Sequence, residues 1–167
     1  MPGELHIRHA EAADYQNLIE RVDDWWGGRT MRAMLPRLFF AHFQPTSFVA
    51  ERGGVVVGFL CGFVSQTAPE TAYVHFVGVD PAERGVGVGQ ALYARFVVAA
   101  RALGCREVHA VTAPTNPASI AFHRRLGFEA LPGDAATDDG MPYTEGYDGP
   151  GEDRVRFRLG LFAQTRT

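Results

Sequence analysis

The stretch VDPAERGVGVGQAL, residues 79–92, decides how the rest of the chain is interpreted. An alternating run rich in β-branched and aromatic residues precedes it, and apolar residues at helical spacing follow it as far as Leu103, so it predicts a turn between a strand and a helix. Its three glycines let a ligand approach the main chain, and N–H groups at a helix N-terminus bind anions. We therefore predict a phosphate site of main-chain donors with Arg84 beside it as a forked cation.

The turn differs from the two best-known nucleotide loops. The chain has no lysine, because all 16 of its basic residues are arginine, and this excludes the lysine-dependent phosphate loop and Schiff-base chemistry. The dinucleotide fingerprint fails because Gln90 occupies the place of its third glycine. An ordinary helix N-terminus without a ligand is the alternative interpretation.

Composition limits the class of protein. A chain of 167 residues with 46% hydrophobic residues fits one domain over residues 1–167. The net charge of −3 gives no reason to expect a nucleic-acid partner. Cys61 and Cys105 form no CxxC pair, so we expect no metal site and read both as buried thiols in a reducing compartment.

Neither a membrane segment nor a secretion signal is expected. The most apolar run, residues 55–64, contains two glycines and is shorter than the ~20 residues that a spanning helix requires. The first ten residues carry acid and histidine where a signal peptide needs an apolar stretch. We therefore expect a cytoplasmic protein.

Hydrophobic periodicity predicts a mixed α/β (α+β) fold. The predicted strands are residues 5–9, 48–52, 55–65, 71–79, 108–112 and 154–162, and the predicted helices are residues 11–26, 30–43, 117–126 and the one that opens at the glycine turn and ends at Gly104. Residues 131–153 hold seven acidic residues and no arginine, a charge of −7, whereas the rest of the chain carries 16 arginines against 12 acids, or +4. They are predicted to form one long Gly/Pro-rich loop inserted before the last strand.

Two motifs together resemble the GNAT superfamily of N-acetyltransferases. Arg84, Gly87 and Gly89 match its acyl-CoA signature [RQ]-x-x-G-x-[GA], and NPASIAFHRRLGF, residues 116–128, resembles its second motif. The resemblance implies the GNAT fold, a mixed and mostly antiparallel sheet of six to seven strands flanked by helices, with acetyl-CoA as the cofactor.

The resemblance also implies where the cofactor binds. In that family the strand before the glycine turn parts from the strand after the next helix, and the pantetheine arm lies in the gap. The residues implied are Val77, Gly78 and Val79 for pantetheine, Arg84, Gly85, Val86, Gly87, Val88, Gly89 and Gln90 for the pyrophosphate, Asn116 for the arm, and Phe122 and His123 beside the sulfur.

The catalytic residues depart from the family pattern. Many members use a tyrosine as the acid for the thiol, and this chain has His123 there, which either relays a proton or only packs beside the cofactor. Strand alternation places Tyr73, His75, Val77 and Val79 on one face. Tyr73 stands where a family subgroup has its carboxylate base, so we predict His75 as the general base, directly or through water, with a hydrogen-bonded core histidine as the alternative and Glu70 as the fallback.

The resemblance places the acceptor between the first two helices and the segment before the last strand. Trp25 or Trp26 could hold a cation on its ring face, and Arg29 could bind a carboxylate through two hydrogen bonds. The alternative is that Trp25 packs inside and Trp26 covers a neighbouring loop. Residues 131–153 are either a lid that attracts an amine or a solvated excursion.

These observations predict an enzyme, an N-acetyltransferase that moves the acetyl group of acetyl-CoA directly to a primary amine of a small molecule or peptide. Its expected partners are a small-molecule amine and a second copy of the chain as a homodimer. The alternatives are a non-catalytic acyl-CoA-binding or sensing module, favoured by the missing tyrosine and carboxylate, and an O-acyl or longer-chain acyltransferase.

Overall fold

A computed structural model describes residues 3–162, and one seven-stranded sheet organises them. Its strands are β1 Leu5–His9, β2 Phe48–Arg52, β3 Val55–Val64, β4 Thr71–Val79, β5 Glu107–Thr112, β6 Glu129–Ala130 and β9 Val155–Gly160, while β7 Ala135–Ala136 and β8 Pro142–Tyr143 form a separate pair. The strand order is β1-β2-β3-β4-β5-β9-β6, and every neighbouring pair is antiparallel except β4 with β5. This confirms the mixed, mostly antiparallel sheet.

Four helices cover the two faces of the sheet, and each face has its own apolar core. They are α1 Asp14–Trp25, α2 Leu38–His42, α3 Val88–Ala102 and α4 Pro117–Arg125. We call the side that packs against α1 and α2 the α1 face, and the side that packs against α3 and α4 the α3 face. None of the helices within residues 3–162 is long and apolar enough to cross a bilayer.

The predicted second helix, residues 30–43, is wrong in extent. A single 3-10 turn, Arg32–Met34, comes first, and α2 begins only at Leu38. Pro36 explains the break, because proline lacks an N–H donor and disfavours helical geometry in the residue before it. The result is a short, irregular cover over the α1 face.

The central strand β4 contains a bulge at His75. Pairing with β3 runs from Val79 to Phe76 in one register and resumes from Val74 to Ala72 in another, so His75 has no opposite residue. The extra residue reverses the alternation. The expectation that Tyr73, His75, Val77 and Val79 share a face is therefore wrong, since the two valines pack in the α3-face core while both aromatic rings stack on phenylalanines of the α1 side.

Residues 131–153 are not one plain loop. Ala135–Ala136 (β7) pairs with Pro142–Tyr143 (β8) in a small second sheet. The acidic side chains mostly stabilise this segment itself, because two accept main-chain N–H groups and two more bind an arginine. These are Asp134 with Glu145, Asp153 with Gly146, and Asp148 and Glu152 with Arg154.

Close packing in the middle of the sheet requires a glycine at position 62. A Cβ there would lie 2.5 Å from Phe96 Cε2 and 2.8 Å from the main-chain oxygen of Tyr73. Gly62 thus lets α3 approach the sheet directly behind the part of β4 that bears the bulge.

We expect Gly62→Ala to lower the free energy of unfolding by about 1–3 kcal/mol, because the added methyl overpacks a contact with a main-chain atom. Gly160→Ala is the matched control, since a Cβ at Gly160 meets no atom within 4 Å, and we expect it to change stability by less than about 0.5 kcal/mol. Urea denaturation of both variants measures this. Equal stability of the two variants would contradict the packing argument.

Candidate active site

A gap opens between β4 and β5 in the middle of the sheet. Their pairing ends at Val74 with Ala110, although β4 continues to Val79. The Asp80 N–H donates to the Val57 oxygen at 2.8 Å, and because hydrogen-bonded pairs alternate along an antiparallel ladder, the main-chain groups of Val77 and Val79 point into the gap.

This geometry separates the three strand residues that the sequence assigned to pantetheine. Val77 and Val79 present main-chain groups to the gap, as expected. Gly78 turns its main chain toward β3 by the same alternation. Its absent side chain makes room instead, because a Cβ at Gly78 would lie 2.7 Å from Cη2 of Trp26.

The glycine turn meets the open end of this gap. Gly85 and Gly87 have φ angles of 79° and 89°, in the left-handed region, and a Cβ on either would meet no atom within 4 Å. The α3 helix begins at Val88, and the first N–H groups of a helix have no partner within it. Main-chain donors and open space therefore coincide at the helix N-terminus, which favours an anion there.

Gly89 allows close packing at the first turn of α3. A Cβ there would lie 3.1 Å from Cζ of Phe122, which is half-buried on α4. The first turn of α3 and the helix α4 thus touch at this point. Phe122 holds the two helices that border the gap at a fixed distance.

Arg84 links three parts of the site. Its Nε donates to the carbonyl oxygen of Val79 at 3.2 Å, and its Nη2 donates to the carbonyl oxygen of Trp25. The side chain therefore ties the glycine turn to the ends of β4 and α1. Its charge stays beside the turn, although two of its N–H groups are already used.

His123 lies in the α3-face core, with both ring nitrogens occupied. Its Nδ1–H donates to the Ser119 oxygen at 2.8 Å, and its Nε2 accepts from the Tyr93 hydroxyl at 2.8 Å. The ring stacks on Phe157 at 5.1 Å. Burial lowers the pKa of His123, outweighing the opposite effect of the Ser119 carbonyl. This neutral, enclosed imidazole favours the packing interpretation over the acid role.

Two further polar residues, Tyr93 and Asn116, make hydrogen bonds to α4 at this end of the site. Tyr93 went unnoticed in the sequence because it falls within the apolar stripe of α3, where a tyrosine looks like any core residue. Asn116, expected to bind the pantetheine arm, caps α4, since its Oδ1 accepts from the Ser119 N–H at 3.1 Å.

His75 projects on the α1 face and is oriented by a main-chain carbonyl. Its Nε2 lies 2.8 Å from the Met34 oxygen, and its ring stacks on Phe39 at 4.8 Å. A carbonyl only accepts, so the proton is on Nε2 and the basic lone pair is on Nδ1. Met34 ends the 3-10 turn that precedes Pro36, and no sequence pattern pointed to its carbonyl.

The two tryptophans have separate positions. Trp25 is buried and stacks on Phe59 at 6.0 Å, so it belongs to the core. Trp26 is half-buried and lies against Phe76 at 4.9 Å, directly beyond the bulge. Trp26 thus borders the α1-face side of the gap, while Arg29 is exposed on the turn that follows α1.

Tyr73 and Glu70 lie farther from the glycine turn. The Tyr73 ring stacks on Phe63 at 5.3 Å, and burial raises the pKa of Tyr73 to about 12. It therefore remains a protonated donor near neutral pH. Glu70 is exposed before the opposite end of β4, 3.5 Å from Arg106, and does not approach the gap.

Comparison with known proteins identifies the family. The sequence profile of the Acetyltransferase (GNAT) family matches residues 9–128. The chain belongs to this family. The motifs that suggested the resemblance lie within the matched range, and the parted strands beside a glycine turn are the arrangement that the resemblance implied.

Two curated relatives are L-2,4-diaminobutyric acid acetyltransferases. The one from Virgibacillus pantothenticus is 30% identical over 122 residues, covering 71% of this chain and 74% of that protein. The one from Nocardia farcinica is 38% identical over 85 residues, covering 51% of this chain and 44% of that protein. The matched part is therefore less than half the length of the Nocardia protein.

A solved structure confirms the GNAT fold. The diaminobutyrate acetyltransferase of Paenibacillus lautus, in complex with L-2,4-diaminobutyric acid and coenzyme A, is 25% identical to this chain with a TM-score of 0.72. The superposition covers 98% of this chain and 99% of that one. The similarity thus extends to the segment before the last strand.

The buried His123 predicts a pH dependence of stability. Burial lowers the pKa of His123 in the folded state. As the pH falls below ~6.5, the unfolded chain therefore binds a proton at this histidine that the folded chain does not bind. The stability that the neutral ring contributes is complete above that pH and is lost as the pH falls below it. His123→Asn keeps an N–H for the Ser119 carbonyl but does not titrate, so its stability should decline less between pH 7.5 and 5.5. Urea denaturation at both pH values measures this, and parallel declines would contradict it.

Proposed function

We propose that this protein transfers the acetyl group of acetyl-CoA directly to the primary amine of a small amino acid. The observation that carries the proposal is the gap between β4 and β5, where the Val77 and Val79 main chain faces an opening that ends at the glycine turn. Family membership and the coenzyme A complex of the Paenibacillus relative support it. The acceptors of the two curated relatives supply the substrate class.

The chain fits acetyl-CoA on its own geometry. The open space over Gly85 and Gly87, together with the unpaired N–H groups that begin α3, suits a pyrophosphate. The N–H and C=O of Val77 suit the amide groups of pantetheine, because strand edges bind extended chains in this way. When bound, acetyl-CoA supplies a thioester whose carbonyl carbon accepts an amine.

His75 is the proposed general base. The Met34 carbonyl fixes the proton on Nε2, so Nδ1 is available to take a proton from the acceptor ammonium, directly or through one water. The bulge places this imidazole on the α1 face, at the level where β4 leaves β5. The neutral amine would then attack the thioester that acetyl-CoA supplies, so that the C–N bond forms as the C–S bond breaks. The proton that the amide nitrogen loses would pass through solvent to the departing thiolate.

His123 does not protonate the thiol, because both of its ring nitrogens are occupied in the core. Trp26 borders the acceptor side beyond the bulge, where its ring face suits a cationic amine. Tyr73 is a protonated hydroxyl farther along the same face and acts there only as a hydrogen-bond donor.

We also propose a cytoplasmic location, where acetyl-CoA is available. Cys61 and Cys105 are both unpaired and buried, which fits a reducing compartment. We also propose that the protein forms a homodimer, and sedimentation velocity of the purified protein tests this.

Release of thiol from acetyl-CoA tests the reaction. With L-2,4-diaminobutyrate as the acceptor, we expect the parent to turn over and His75→Ala to reduce kcat by about 10²-fold, because a positioned general base contributes about that much. His75→Gln keeps an N–H for the Met34 carbonyl yet cannot take a proton, so it should be equally slow. Activity close to that of the parent in the glutamine variant would contradict the general-base role and indicate that His75 acts only through its hydrogen bond to Met34.

The outcome also separates the enzyme from the alternative of a binding module. Acetyl-CoA binding without thiol release, for any amine in a panel of amino acids, diamines and aminoglycosides, would contradict the proposed reaction and favour a sensor. Thiol release with alcohols alone would indicate O-acyl transfer.

A carboxylate at the glycine turn should weaken cofactor binding without harming the fold. Gln90 is exposed in the first turn of α3, where an acidic side chain interacts favourably with the helix dipole. We expect Gln90→Glu to weaken coenzyme A binding about tenfold through repulsion of the pyrophosphate, and Gln90→Leu to bind like the parent. Calorimetric titration measures both affinities, and higher salt should shrink the difference. Equal affinities at low salt would contradict the pyrophosphate position.

A further inference from the structure

Three arginines project from β9 and the residue before it onto the α1 face, and two of them are neutralised. Arg154 binds Asp148 at 2.7 Å and Glu152 at 3.0 Å. Arg158 binds Glu107 and Glu129. For Arg156, which lies between them, no carboxylate within residues 3–162 comes within 4.0 Å of the guanidinium.

Arg156 occupies the level at which the gap opens. Arg156 pairs with Val111 of the neighbouring strand β5. Val111 follows directly after Ala110, the last residue of β5 that pairs with β4. The side chain at this position is on the same face as His75. Two strand spacings, about 10 Å, separate the backbones of β4 and β9 where the sheet is still closed, a distance that an arginine and a short amino acid can bridge together.

An aromatic ring supports the Arg156 guanidinium, and no acceptor among residues 3–162 binds its N–H groups. Its Cζ lies 5.5 Å from the ring centroid of Tyr147, and that tyrosine is 43% exposed. Stacking on a ring engages the face of a guanidinium and leaves the N–H groups at its edge available.

We propose that Arg156 binds the carboxylate of the acceptor, so that the preferred acceptor is an amino acid whose second amine is acetylated. A planar fork of donors matches a carboxylate through two hydrogen bonds. The inference rests on the proposed function, which places the reacting amine beside His75. Arg156 acts in specificity and takes no part in the proton transfer. Arg29, to which the sequence assigned the carboxylate, is exposed beyond α1.

Two acceptors that differ only in the carboxylate test this assignment. L-2,4-diaminobutyrate and 1,3-diaminopropane share the same spacing of amines, and calorimetry with the coenzyme A-loaded protein gives the affinity for each. We expect the parent to prefer diaminobutyrate and Arg156→Leu to bind it about 10- to 100-fold more weakly, with no change for diaminopropane. Arg158→Leu removes an equal charge from the same face and should keep the parent's preference.

Turnover adds a second readout. With diaminobutyrate, Arg156→Leu should raise KM and leave kcat close to the parent value, and Arg156→Lys should recover part of the affinity. A parent without preference, or an Arg156→Leu variant that retains it, would overturn the assignment. If the parent prefers diaminobutyrate through Arg156 but releases no thiol, the proposed reaction is contradicted and the assignment of the carboxylate site to Arg156 is supported.

Discussion

The parting of β4 from β5 is the constraint on which the site depends. Two adjacent strands that stop pairing in the middle of a sheet leave main-chain donors and acceptors without partners, and such groups are costly unless something else binds them. Here the pairing ends at Val74 with Ala110, and the main chain of Val77 and Val79 faces the gap, where Arg84 already binds the Val79 carbonyl. An extended ligand with amide groups satisfies that edge as a neighbouring strand would.

The bulge at His75 gives β4 different roles before and after the point of separation. Before the bulge, Tyr73 projects on the α1 face, and after it Val77 and Val79 pack on the α3 face. A regular strand would have sent the imidazole and both valines to the same side. Because of the extra residue, the imidazole lies on the α1 face while the valines pack against the core of the helix that carries the glycine turn.

Residues of different kinds secure the margins of the gap. Arg84 joins the turn to the ends of β4 and α1 through carbonyl oxygens, and Phe122 fills the space that Gly89 leaves between α3 and α4. His123 and Tyr93 form a neutral hydrogen-bonded pair beneath them. The groups at these margins are uncharged or already have partners, whereas Arg156 on the α1 face pairs with no carboxylate within residues 3–162.

The sequence by itself determined the family, the mixed sheet and the glycine turn, because periodicity, turn residues and the two motifs are local properties of the chain. The glycine pattern also singled out Gly85 and Gly87, whose φ angles are left-handed, while the pantetheine contacts of Val77 and Val79 stay a prediction. Only the tertiary structure decided the bulge, the burial of His123 and the carbonyl of Met34 that orients His75. It alone showed that carboxylates neutralise Arg154 and Arg158, whereas none of those in the described part of the chain pairs with Arg156. These features depend on contacts between residues far apart in the chain, and a strand's alternation cannot reveal an extra residue until its neighbour is in place.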